Sequence, residues 1–244
     1  MFPISTTSPG LGRGKRGLDD LSGQIVMRFV AGITVMSVAF FGSAGTLVWP
    51  EAWLYMIIQF SFSAMLGAWL KKHNPDLLKD RMAFLKPTAK NWDKVILIIS
   101  TVVFIPYLIL PGLDAVRFQW STVHLLIKVV GFIGIILSFI LVFWVMRENT
   151  YLSRIVEIQK ERGHKVITTG PYQYVRHPMY FGVIVLFISI PIALGSLWGL
   201  IPGAALTLLI LIRTVLEDKT LHEELEGYNT YAERVRYKIL PGIW

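Results

Sequence analysis

Long apolar blocks, separated by short polar segments, run through this sequence. Four of them approach the roughly 20 residues that a helix needs to cross a bilayer: residues 29–48, 52–70, 95–110 and 123–146. A fifth block, residues 181–212, is too long for one perpendicular span and is interrupted by the turn-forming residues 195–199, which predicts two shorter helices. We therefore predict an all-α, polytopic transmembrane bundle of about six spans.

The charged residues fall in particular loops between these blocks. Only 16% of the residues are charged, 54% are hydrophobic, and the net charge of +8 comes from clustered Lys and Arg. Six spans place both termini and every basic loop on one side, which the positive-inside rule identifies as the cytoplasm. We therefore expect a multi-pass membrane protein with cytoplasmic termini, in contact with membrane lipids and without affinity for nucleic acid.

Several other chemistries lack the residues that they need. The chain contains no Cys, its five His are scattered without metal-ligand spacing, and no G-x-S-x-G nucleophile motif occurs. Gly12, Gly14 and Gly17 match a dinucleotide-binding pattern, but no strand precedes them. We therefore predict no metal site and no Rossmann domain.

Composition divides the chain into three regions. Residues 1–24 are rich in Gly, Ser, Thr and Pro, which predicts a flexible cytoplasmic tail. Residues 25–146 contain the first four spans. Residues 147–244 contain the last hairpin and the polar segments that flank it, and we interpret them as the catalytic region.

Two polar segments, residues 159–180 and 213–237, flank the last hairpin and meet when it folds. In the first, Gly170 and Pro171 predict a turn, and Pro178 suits the first turn of a helix entering the membrane. Arg176 and His177 then lie at a helix N-terminus, where free N–H groups attract anionic ligand groups. The alternative interpretation is that Arg176 is an ordinary positive-inside anchor and that the neighbouring tyrosines form an interfacial aromatic belt.

In the second segment, Arg213 and Glu217 are four residues apart and share one helix face. They could form a simple surface ion pair, which contributes a few tenths of a kcal/mol. Their position, where an apolar helix meets a polar segment, is also typical of functional ionisable groups. The sequence leaves both interpretations open.

The motif Gly-Pro-Tyr-x-x-Val-Arg-His-Pro-x-Tyr-x-Gly over residues 170–182, followed by Glu217-Asp218 and a C-terminal Tyr-x-x-Tyr, resembles the isoprenylcysteine carboxyl methyltransferase family. It also resembles the related phospholipid N-methyltransferases. The likeness covers residues 146–244, and Asn-Pro-Asp-Leu-Leu at residues 74–78 is a weaker upstream feature of the family.

The resemblance implies that S-adenosylmethionine binds in a cytoplasm-facing pocket formed by the C-terminal helices and their connecting segments, and leaves as S-adenosylhomocysteine. The positions that match the family's cofactor contacts are Gln159, His164, Lys165, Val166, Ile167, Tyr172, His177, Pro178, Met179, Tyr180 and Glu217. Arg213 matches the substrate-side residue, and with Glu217 it forms the catalytic pair. Two departures are a shorter stretch between Gln159 and His164 than in the eukaryotic enzymes and Asp218 in place of a more usual Glu.

The function implied is methyl transfer to a lipophilic acceptor, most like carboxyl O-methylation of a prenylated cysteine. A carboxylate is ionised at neutral pH and needs no base, so Arg213 would orient it. An amine acceptor, as in phospholipid N-methylation, would have to lose a proton, and Glu217 or His177 would accept it. A non-catalytic scaffold that kept the fold is the alternative from another class, and the NADPH-dependent membrane sterol reductases are a further type in this fold neighbourhood.

Overall fold

The computed structural model describes residues 11–82 and 87–244, with side chains from residue 23 onward. Within these ranges every regular element is helical. The α-helices are α1 (Leu11–Ser37), α2 (Pro50–His73), α3 (Pro75–Met82), α4 (Asn91–Gly112), α5 (Leu125–Glu148), α6 (Pro178–Leu194), α7 (Leu200–Glu224) and α8 (Tyr228–Arg234). The π-helical turns Val38–Gly42 and Leu113–Arg117 extend α1 and α4.

Five helices are long and apolar enough to cross a membrane, and α6 is a shorter apolar helix of the last hairpin. The five segments are Gly23–Gly42, Pro50–His73, Asn91–Arg117, Leu125–Glu148 and Leu200–Glu224. The prediction of an all-helical, polytopic membrane bundle is confirmed, and so is the division of the last apolar block into two helices. A flexible tail was predicted over residues 1–24. Residues 11–24 instead belong to helix α1, and residues 1–10 lie outside the described part of the chain.

Asp114 joins the helices at the end of the bundle opposite to the polar segments. Its buried carboxylate accepts hydrogen bonds from Ser121 Oγ at 2.9 Å, Ser196 Oγ at 2.6 Å and the Trp198 amide at 3.1 Å. The loop after α4 is thereby tied to the turn between α6 and α7. At the same end, Lys128 of α5 lies 2.7 Å from Glu51 of α2, so it forms an ion pair there.

Helices α5 and α6 approach so closely that glycine is required between them. A Cβ atom on Gly131 of α5 would lie 2.5 Å from the Ala193 amide nitrogen and 2.9 Å from the Ser189 carbonyl oxygen of α6. Both neighbours are backbone atoms, which cannot move aside cheaply. This contact fixes the position of α6, and α6 carries part of the site described below.

Replacing Gly131 by Ala is therefore expected to destabilise the fold by about 1–3 kcal/mol, the usual cost of overpacking. Thermal unfolding of the detergent-solubilised protein measures the effect. Gly67→Ala is the matched control, because a Cβ there meets nothing within 4 Å. Equal melting temperatures for the two variants would contradict the close approach of α5 and α6.

Candidate functional site

One cavity of about 370 Å³ opens where the two polar segments meet the chain that follows α5. Its volume is in the range of small-molecule sites. The predicted site residues that line it are His164, Lys165, Val166, Ile167, Tyr172, His177, Met179, Tyr180, Arg213 and Glu217. Pro178 is buried as the first residue of α6 and Gln159 lies in the loop behind the wall, so neither is among the lining residues.

The segment before α6 folds as a tight turn leading into the helix. Gly170 has φ of 59°, a left-handed conformation that favours glycine, and it opens the 3₁₀ turn Gly170–Gln173. The hydroxyl of Tyr172 accepts a hydrogen bond from Asn149 at 2.8 Å, and its carbonyl oxygen accepts one from Tyr231 at 2.7 Å. The predicted turn and the predicted start of a helix at Pro178 are both confirmed.

Asp218 is the buried centre of the contacts that hold this segment. Arg176 donates to both of its oxygens, Nε to Oδ1 at 2.9 Å and Nη2 to Oδ2 at 3.0 Å. Tyr228 of α8 donates at 2.8 Å, and His177 Nε2 lies 3.2 Å away. One carboxylate thus joins α7, the start of α6 and α8.

Arg176 is accordingly a buried structural residue that joins α7 to the chain after α8. Besides Asp218, its Nη1 donates to the carbonyl oxygens of Val235 and Arg236 at 2.9 and 3.0 Å. Its own backbone N–H donates to the Tyr237 carbonyl, so this amide is not a free donor for a ligand. Neither the anchor interpretation nor the helix-N-terminus interpretation describes this role.

Glu217 points its carboxylate to the cavity beside two aromatic side chains. The Tyr180 hydroxyl donates a hydrogen bond to Oε2 of Glu217, and Nδ1 of His177 lies 4.0 Å from Oε1. The rings of His177 and Tyr180 stack with centroids 5.7 Å apart. Because Tyr180 occupies one oxygen, the other remains suited to a cationic ligand group.

Arg213 forms its ion pair with Asp93 of α4, a residue distant in sequence. Nε lies 2.8 Å from Oδ1 in an orientation too bent for a hydrogen bond, and Nη2 donates to Oδ2 at 3.2 Å. Nη2 also donates to the Arg154 carbonyl at 2.7 Å, and the Val156 amide donates to Asp93 at 2.9 Å. Asp93 is fully buried, so this pair anchors both α7 and the chain after α5.

The surface ion pair that the spacing of Arg213 and Glu217 allowed does not occur. Each of the two residues has a different partner, Asp93 for Arg213 and Tyr180 for Glu217. Nη1 of Arg213 makes no hydrogen bond with the residues that the structure describes, and the guanidinium faces the cavity beside the Tyr180 ring at 5.8 Å. A cation and an anion therefore face one cavity, one helical turn apart.

Residues 164–167 form a wall of the cavity, and Gln159 holds the start of the same loop by hydrogen bonds. Its side chain donates to the Tyr151 carbonyl at 3.0 Å and accepts from Arg162 at 2.6 Å. His164 stacks on Tyr151 with centroids 4.5 Å apart. Burial lowers the pKa of His164 below its usual value, and the nearby Arg162 lowers it further. Both effects favour the neutral form of His164.

One wall of the cavity consists of residues that no sequence motif marks. Residues 151–157 follow α5 without a recognisable pattern, and Arg81 comes from α3 in the N-terminal half, yet they line the cavity. Only the general excess of Arg in the polar loops hinted at such a role. Val183 and Ile210 form an apolar end, one turn further into the membrane than Tyr180 on α6 and Arg213 on α7.

Comparison with known proteins finds similarity to membrane methyltransferases. A family model for phospholipid methyltransferase matches residues 126–226. A protein-S-isoprenylcysteine O-methyltransferase of Dictyostelium discoideum is 27% identical over 127 residues, which are 52% of this chain. The matched region is 49% of that relative, so the chain matches about half the length of the curated relative. The resemblance noted from the motifs is confirmed at the level of the superfamily.

Replacing Asp218 by Asn is expected to destabilise the fold by about 3–5 kcal/mol, because it leaves the buried Arg176 guanidinium without its counter-charge. Thermal unfolding in detergent measures this loss. Asp76→Asn is the matched control, since Asp76 is exposed and lies 3.8 Å from an exposed Lys79. If both variants unfolded at the temperature of the unmodified protein, Asp218 would not be the centre described above.

Proposed function

We propose that the protein methylates a lipophilic acceptor with S-adenosylmethionine. The premise is that the C-terminal half of this chain belongs to the superfamily of isoprenylcysteine carboxyl methyltransferases and phospholipid methyltransferases. The preferred acceptor group is a carboxylate. The observation that supports this most is the single cavity in which Glu217 and Arg213 present opposite charges from adjacent turns of α7.

The residues around Glu217 suit the methyl donor. The carboxylate of Glu217, oriented by the Tyr180 hydroxyl, is a partner for the donor's ammonium group. Val166, Ile167 and Leu221 supply apolar wall surface for an adenine ring. When bound, S-adenosylmethionine supplies an electrophilic methyl group on a sulfonium sulfur.

The residues around Arg213 suit the acceptor. Arg213 offers the Nη1 edge of its guanidinium to an acceptor oxyanion, while Asp93 and the Arg154 carbonyl hold the other nitrogens. The apolar end at Val183 and Ile210 continues this position into the membrane, where a hydrocarbon chain can lie. An acceptor carboxylate is already ionised, so these residues only need to align it and exclude water.

Phospholipid N-methylation is the second candidate, because the family model that matches is that of phospholipid methyltransferases. An amine acceptor has to lose a proton. His177, 4.0 Å from Glu217 and in contact with Asp218, is the group in the cavity that is placed to accept it. A prenylated acid and a phospholipid amine, offered separately with labelled donor, distinguish the two functions.

We further propose that the cavity faces the cytoplasm. It lies at the start of α6 and in the last part of α7, near the end of α2 that carries Lys71 and Lys72 and near the last turn of α3, which carries Lys79 and Arg81. By the positive-inside rule this is the cytoplasmic side.

Calorimetric titration of the purified protein with S-adenosylhomocysteine tests the cofactor site. We expect Glu217→Gln to raise the Kd about 10- to 100-fold, the loss that follows from removing a charge-assisted hydrogen bond. Glu223→Gln, an exposed change on the same helix, should leave the Kd unaltered. A folded protein that does not bind S-adenosylhomocysteine would refute the proposed function and favour a non-catalytic scaffold.

Arg213→Lys tests the acceptor site separately. Lysine keeps the charge that faces Asp93 but loses the planar fork of donors, so we expect turnover to fall at least about tenfold while S-adenosylhomocysteine still binds. Initial rates with labelled donor measure turnover, and the melting temperature shows whether the variant is folded. Unchanged turnover would remove Arg213 from the acceptor site.

A further inference from the structure

Arg81 reaches the cavity from the N-terminal half of the chain. It lies in the last turn of the short helix α3, whose Leu77 and Leu78 are buried against Leu70 and Met146. The side chain of Asn74 accepts a hydrogen bond from the Leu77 amide at 3.1 Å and so fixes the start of this helix. The position of Arg81 is therefore set by packing.

The side chain of Arg81 is held at the cavity wall without an acidic partner. Among the residues that the structure describes, its one hydrogen bond goes from Nη1 to the Leu152 carbonyl, at 3.1 Å. Burial, together with the positive charges of Arg154 and Arg213, lowers the pKa of Arg81 to about 10. Within the described ranges, Arg81 thus holds a charge without an ion-pair partner.

Each acidic side chain nearby has a protein partner other than Arg81. Asp93 pairs with Arg213, Glu217 accepts from Tyr180, and Glu157 accepts from Thr88 Oγ1 at 2.7 Å. Among the described residues, Arg81 is therefore left at the cavity wall without an ion-pair partner. Charges in a protein interior are normally paired, so the unpaired guanidinium of Arg81, in the same cavity as the Nη1 edge of Arg213, indicates a place for an anionic group of a ligand.

We propose that Arg81 and Arg213 together form an oxyanion-binding subsite for the methyl acceptor, with Arg81 as a second, specificity-determining residue. This inference rests on the proposed function and restricts the acceptor to molecules that carry an anionic group. The acceptor carries a negative charge at or next to the methylated atom, and its hydrocarbon part extends toward Val183 and Ile210. A neutral acceptor is bound poorly.

The reaction that fits this subsite is balanced without a further reactant. A carboxylate oxygen attacks the sulfonium methyl group, an O–CH₃ bond forms, and the CH₃–S bond breaks with its electron pair passing to sulfur. The negative and positive charges of the reactants cancel, so the products are a neutral ester and a neutral thioether. Since the ester presents no anion to Arg81 and Arg213, the same subsite that binds the acid releases the product.

An oxyanion can come from two sources, the methylated carboxylate itself or a phosphate beside a methylated amine. Only the carboxylate loses its charge in the reaction. The experiments therefore compare a farnesyl thioether carboxylic acid, its methyl ester, and phosphatidylethanolamine in mixed micelles.

The first experiment uses the unmodified full chain and does not depend on turnover. Calorimetry in the presence of S-adenosylhomocysteine should show that the acid binds at least about tenfold more tightly than its methyl ester, the difference expected of charge-assisted hydrogen bonds. Equal affinities, together with an unchanged KM for phosphatidylethanolamine in Arg81→Gln, would overturn the anion subsite. Binding of S-adenosylhomocysteine, measured beforehand, tests the proposed function independently of this comparison.

The second experiment compares Arg81→Gln, Arg81→Lys and the control Arg147→Gln, an exposed change on α5 outside the cavity lining. We expect Arg81→Gln to raise the KM for the acid at least about tenfold, while the affinity for S-adenosylhomocysteine stays within about twofold of the original. Arg81→Lys should give a KM between those of the unmodified protein and Arg81→Gln. Arg147→Gln should change neither the KM nor the affinity.

Other outcomes have definite meanings. A parallel loss of S-adenosylhomocysteine affinity would assign Arg81 to the cofactor and overturn the proposal, and so would an unchanged KM. A raised KM for phosphatidylethanolamine, in a chain that does not methylate the acid, would support the oxyanion subsite and assign it to a lipid phosphate. If Arg81→Gln fails to fold, Arg81→Lys and the comparison of acid with ester still decide the question.

Discussion

The carboxylate of Asp218 holds the site together. It lies on α7, and its donors come from the residues just before α6 and from α8, so three segments that are separate in sequence are fixed to one buried group. Glu217, the neighbouring residue, receives its position from the same arrangement, because His177 contacts both carboxylates. Asp218 reaches Arg176 with both of its carboxylate oxygens.

Asp93 holds together the Arg213 side of the cavity, as Asp218 holds together the side that contains Glu217 and His177. It joins α4 to α7 through Arg213 and to the chain after α5 through the Val156 amide. Asp93 and Asp218 are both engaged with protein donors, whereas Glu217 faces the cavity with one carboxylate oxygen that no described donor occupies. The division between structural and ligand-facing acids follows from burial and from the donors that each one meets.

The sequence predicted the helices well because their signals are local. The apolar blocks, the Pro residues at helix starts and the left-handed Gly170 each act through a few neighbouring residues, and the structure has helices and turns at those positions. The partners of Arg213 and Arg176 could not be predicted in the same way. Asp93 is 120 residues from Arg213, and only the packing of α4 against α7 brings them together. The roles of the individual site residues in binding remain proposals.

The length of α6 has a consequence for the surrounding bilayer. Its 17 residues rise about 25 Å at 1.5 Å per residue, less than the roughly 30 Å thickness of a typical hydrocarbon core. Such hydrophobic mismatch is relieved when lipids around a short helix thin or when the polar end of the helix sits below the headgroups. In either case the start of α6, where the cavity opens, comes to the level of the acyl chains. A lipophilic molecule can then reach Arg213 by lateral diffusion within one leaflet, without first entering the aqueous phase.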